Sequence, residues 1–170
     1  SPSTTAPVRP LRSPTFRQAV VAMWMDELDT ARSTFVDLEK RCREGGDEGS
    51  LAVILFMLAE VECEAGNWSD GRAYADESCE ITAWTGHLPY RSLALSARAL
   101  IDAHLGRVES ARAGAEEGLK LAERSGLVQA SQFNLAALGF LELSLDNPKE
   151  TNELLWPMTQ GVLAAGIREP

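Results

Sequence analysis

A chain of 170 residues with 45% hydrophobic and 24% charged residues has an ordinary globular composition and is long enough to bury one core. Its net charge of −9 opposes non-specific binding to nucleic-acid phosphates, which needs clustered Lys and Arg. No run reaches the ~18 apolar residues of a membrane span.

The first stretch, SPSTTAPVRPLRSP, holds four prolines and scattered Ser and Thr. It has no apolar core of a signal peptide, so residues 1–13 are expected to be an extended linker or tail, with one domain over residues 14–170. The first helix is expected from Pro14 to about Met25. Asp26-Glu27-Leu28-Asp29 makes its turn, and a second helix runs from Thr30 to Glu44. Lys40-Arg41-Cys42-Arg43 is the positive last turn favoured by the helix dipole.

The segment Leu51 to Ala65 spaces Leu51, Leu55, Leu58 and Ala59 by three and four, which is helical. Gly66 breaks it. Asn67 is expected to cap the following helix, with Asp70 imitating a capping box, and Gly86 to end it. Helices are then expected over Pro89 to Leu105, Val108 to Ser125, Leu127 to Ser144 and Pro148 to Ala165. Asn147 repeats the cap of Asn67, with Pro148 at the first helical position. Pro157 should kink or split the last helix near Trp156.

These elements recur every 40 residues. Gly46, Gly86, Gly126 and Gly166 form one row; Asp26, Gly66, Gly106 and Asp146 form another. Ala19, Ala59, Ala99 and Gly139 are small at a third position. Leu55, Leu95 and Leu135 form a fourth row, Val21, Val61, Ile101 and Leu141 a fifth, and Met25, Ala65, Leu105 and Leu145 a sixth. Rows in mutual register define units at about 14–46, 47–86, 87–126 and 127–166. One hairpin of this size cannot bury its apolar face alone, whereas stacked hairpins can. The expected fold is all-α: a right-handed α-solenoid of about four antiparallel helix pairs, with first helices lining the concave face.

The units resemble tetratricopeptide-type repeats, lengthened beyond the usual form. Leu58 and Ala59 match the close-packing pair of the first helix, Gly66 and Trp68 the turn, and Gly71 and Ala75 the small positions of the second helix. Ala99, Gly106, Val108, Ala111 and Ala115 fill these roles in the third unit. Arg98 and Asp146 depart from the pattern, and no unit carries the terminal proline. LAEVECEAGNWSDGRAYADESCEITAWTG, HLGRVESARAGAEEGLKLAERSG and LLWPMTQGVLAAGIREP resemble the central helical sensor region of large ATP-binding LuxR-type, maltotriose-activator-like bacterial transcriptional regulators. That resemblance implies an excised middle part, flanked in the whole protein by a signalling ATPase and a DNA-binding helix-turn-helix.

No phosphate loop, H-E-x-x-H, G-x-S-x-G or paired-cysteine motif occurs, so no catalytic residue, cofactor or metal is expected. Cys42, Cys63 and Cys79 read as buried, reduced cysteines of a cytoplasmic protein. Glu60, Glu62 and Glu64 read as a solvated acidic face, of which Glu60 and Glu64 share one side of the helix. His87 reads as a solvated loop residue, and Trp68 as a core staple within its own hairpin. In the tetratricopeptide register, the groove candidates are Trp24, Phe56, Glu60, Glu64, Leu100, His104, Phe133 and Phe140. Val20, Cys63, Leu93, Ser96, Ala136 and Ser144 lie alongside them. Such a lining suits a protein partner or small effector, or packing against more protein. For His104, a partly exposed structural role stands beside ligand contact. The expected function is a non-enzymatic sensor and interaction module of a LuxR-type regulator, with a generic tetratricopeptide scaffold as the alternative. A homodimer through exposed end faces is a further expectation; nucleic acid and membrane are not expected partners of this segment.

Overall fold

The structure is a computed structural model describing residues 10–164, with side chains to residue 161. The described residues contain no strand. They form α1 (Pro14–Trp24), α2 (Leu28–Gly45), α3 (Glu48–Glu64), α4 (Trp68–Thr85), α5 (Leu88–His104), α6 (Val108–Ser125), α7 (Val128–Ser144) and α8 (Pro148–Ala164). No described helix is long and apolar enough to cross a membrane. Gly166, the expected fourth member of its glycine row, lies outside the described residues, as do residues 1–9. Pro10–Arg12, placed by the sequence in the tail, form a 3-10 turn. Leu11 of that turn packs on the core, and Ser13 caps α1 by accepting from the Phe16 amide at 3.1 Å.

Neighbouring helices touch in chain order, α1 with α2, α2 with α3, and so on to α8. The odd helices also touch one another: α3 meets α5, and α5 meets α7. Even helices bury one stripe; α2 buries Ala31, Phe35, Leu38 and Cys42 at spacings of three and four. The middle odd helices sit between neighbours on several sides. In α3 this buries almost every residue from Ser50 to Cys63, with Glu60 and Val53 only partly covered.

Two kinds of turn alternate. Gly46, Gly86 and Gly126 end even helices with φ of 64°, 72° and 69°. After the odd helices the left-handed position falls on Gly66 and Gly106, and on Asp26 and Asp146 at φ 61°. Aspartate tolerates this region better than most residues, so the turn survives where glycine is missing. The small-residue row also behaves as expected. Ala19, Ala59 and Ala99 are buried, and a Cβ on Gly139 would sit 2.9 Å from Leu155. Gly71 receives Ile101, whose Cδ1 would stand 3.1 Å from an added Cβ.

A charged row went unread in the sequence. Arg32, Arg72 and Arg112 on even helices pair with Glu62, Asp102 and Glu142 on the next odd helices. The carboxylates are 4%, 0% and 3% exposed, so these are interior contacts. Burial works to raise Glu62, but hydrogen bonds from Arg32 and Asn67 more than reverse it and leave the carboxyl lowered. Asp102 follows the same course through Arg72, Ser110 and Arg107. In Glu142, hydrogen bonds from Arg112 and Asn147 dominate and lower it. Glu62 is therefore no part of a solvated acidic face.

The same row corrects the caps. Asn67 makes no side-chain cap; its Nδ2 donates to Glu62 Oε2 at 2.7 Å. Asn147 likewise donates to Glu142 Oε2 at 2.9 Å. A buried carboxylate lacking a full set of donors attracts the nearby amide more strongly than a solvent-exposed helix end does. Nor does Pro157 split α8, which runs through it to Ala164.

Candidate functional site

Columns recurring every 40 residues carry the candidate residues on the odd helices. Trp24, Glu64, His104 and Ser144 end α1, α3, α5 and α7; Val20, Glu60, Leu100 and Phe140 stand one turn earlier. Side chains four apart share a helix face, so each pair of positions contributes to one surface. Trp24 is 75% exposed. Glu64 is exposed, and Glu60, Leu100, His104, Phe133 and Phe140 are partly exposed.

Phe56 is the exception. It is 4% exposed, and its ring meets Phe133 edge-on at 5.9 Å. Phe133 lies two helix pairs further along the chain, so this contact draws α3 and α7 together over α5 and removes Phe56 from any accessible lining. Cys63 and Ser96 are also buried. The period sets the columns, but contacts between helices far apart in the chain decide which members remain open.

An aromatic rail crosses the C-terminal part of this face. Trp68 stacks on His104 with ring centroids 5.2 Å apart and planes at 17°. His104 in turn meets Phe140 at 4.3 Å. Trp68 is 36% exposed and touches the next helix pair, so it is a rim residue and not the staple of its own hairpin. Burial lowers the His104 pKa from its ordinary value, disfavouring the charged imidazolium. His87, at the N-terminus of α5, is exposed and stacks on Tyr90 at 5.5 Å.

The other end of the face is acidic. Burial, and then the neighbouring Glu64, push the Glu60 carboxyl up to about 7. Glu64 is raised by burial and then by Asp26. Cys63 beneath them is pushed up to about 12 by burial, Glu60 and Glu64. Among the described residues, no Lys or Arg forms an ion pair with Asp26, Glu60 or Glu64. Asp26 was read only as a turn residue. Its place two residues beyond Trp24, the first-unit counterpart of Glu64, was the available signal.

Cys42, Cys63 and Cys79 are free and buried, as expected. No group of three His, Cys, Asp or Glu among the described residues is arranged to hold a metal ion. The chain matches no protein-family model and no curated protein.

Proposed function

We propose that the chain is a tetratricopeptide-like α-solenoid of four 40-residue helix pairs and acts as a non-enzymatic interaction module. The odd helices form its concave face, and a protein partner docks there. The observation carrying this reading is the accessible row on those helices: Trp24 at 75% exposure, Glu64 and His104 recur in register, and Phe140 stands one turn before the fourth position. Large aromatics left in water on a regular surface are typical anchors of protein interfaces. The repeat's resemblance to the sensor region of LuxR-type regulators supports a role in signal-dependent transcription. There a partner or effector that favours one superhelical curvature biases the neighbouring domains.

Affinity capture from the source cell extract, comparing native protein with Phe140→Glu and Trp84→Glu, tests the docking face. Trp84 is 69% exposed on an even helix. A partner retained by Trp84→Glu and lost by Phe140→Glu supports the reading, given equal melting temperatures. Loss with Trp84→Glu alone contradicts it. The flanking gene sequence tests the regulator assignment: without an upstream phosphate loop and a downstream helix-turn-helix, the generic scaffold remains.

A further inference from the structure

Charge on the odd-helix face is arranged unlike charge in the interior. The interior acids Glu62, Asp102 and Glu142 each have an arginine. Among the described residues Asp26, Glu60 and Glu64 have none; Glu60 and Glu64 share one face of α3, and Asp26 follows Trp24 by two residues. Glu60 is partly covered, and an uncompensated carboxylate held away from water is costly. The chain tolerates it at the surface where Leu100 and Phe140 continue the same column with apolar side chains.

We propose that this face receives an amphipathic, cationic protein segment, whose apolar side chains lie on Leu100 and Phe140 and whose Lys or Arg side chains reach Asp26, Glu60 and Glu64. The proposal rests on the docking face described above and adds the chemistry of its occupant. Charge complementarity carries it. An arriving ammonium or guanidinium gives Glu60 the counter-ion that the interior acids already have. Trp24, two residues before Asp26 and 75% exposed, offers a ring face on which the same cation is stabilised. A neutral or acidic segment would leave Glu60 both covered and unpaired.

A ~18-residue helical peptide of leucine and lysine, with leucine–glutamine and leucine–glutamate counterparts, serves as the probe. Affinities are measured by calorimetry at fixed salt. The lysine peptide is expected to bind the native chain, and Glu60→Gln with Glu64→Gln to weaken it about tenfold. The control pair Glu44→Gln with Glu80→Gln removes equal charge from exposed positions that form no ion pair among the described residues. It should change affinity less than about twofold. Equal loss in both variants, or equal binding of lysine and glutamine peptides, overturns the proposal. If the glutamine peptide binds equally and Phe140→Glu releases it, the docking face stands and only the cationic occupant falls. If no peptide binds, both fall.

Discussion

Arg72 Nε on α4 donates to Asp102 Oδ1 on α5 at 2.7 Å, and Asp102 is 0% exposed. Ser110 adds a 2.6 Å hydrogen bond to Oδ2, and Arg107 a weaker one at 3.3 Å to Oδ1. The pair joins successive helix pairs, and Arg32–Glu62 and Arg112–Glu142 repeat it at the same offset. Arg72→Ala leaves Asp102 buried with reduced compensation and should cost about 3 kcal/mol. Arg72→Met combined with Asp102→Leu should cost clearly less than the sum of the single changes. Urea unfolding of the four proteins in this cycle measures the difference.

Glu60 makes stability fall as pH rises. Its folded pKa, about 7, lies above the ordinary 4.5, so the folded state binds more protons between those values. Stability is therefore lost as pH rises through that window. Glu62, Asp102 and Glu142, lowered by their partners, act oppositely and lose their contribution as pH falls through the acid range. Glu60→Gln should raise stability by about 1–2 kcal/mol at pH 8 and have little effect at pH 4. Melting curves across pH for both proteins test the sign.

The left-handed turns should respond in opposite directions to substitution. Asp26 and Asp146 hold φ 61° where the equivalent turns use Gly66 and Gly106. Gly66→Ala should destabilise by about 1 kcal/mol, because a Cβ is strained there although space is open. Asp146→Gly should be neutral or stabilising by up to about 1 kcal/mol. Chemical denaturation of both variants would separate backbone strain from packing.

Gly118 should tolerate no side chain. A Cβ there would collide with the amide of Asn134, which is 0% exposed and donates to Ser92 O at 3.1 Å and Ala130 O at 2.8 Å. Backbone approaches on three sides leave Asn134 little room to move. Gly118→Ala is expected to cost about 1–3 kcal/mol. Adding Asn134→Ala should recover part of that loss, read from the same unfolding transitions.

Glycine made the 40-residue period visible, because Gly66 and Gly106 mark positions that few other residues can occupy. Helix type and most boundaries followed; α6 runs over Val108–Ser125 as expected. The arginine and carboxylate rows have the same period, but charged residues on helices ordinarily face water. Only a partner 30 positions away, on a helix not adjacent along its own hairpin, makes burial tolerable. Phe56 failed as a groove residue for a related reason. The edge contact with Phe133 depends on packing across three successive helix pairs, which no local pattern encodes. Trp68 stacks on His104 of the next helix pair, a contact that the pattern within its own hairpin does not reveal.

Docking on the odd helices is tested most directly by nuclear magnetic resonance of the isotope-labelled chain, titrated with the leucine–lysine and leucine–glutamine peptides. Saturable shifts should concentrate at Trp24, Glu64, Leu100, His104 and Phe140. Shifts centred on Trp84 and Val36, exposed on even helices, or none with either peptide, would contradict a binding face on the odd helices.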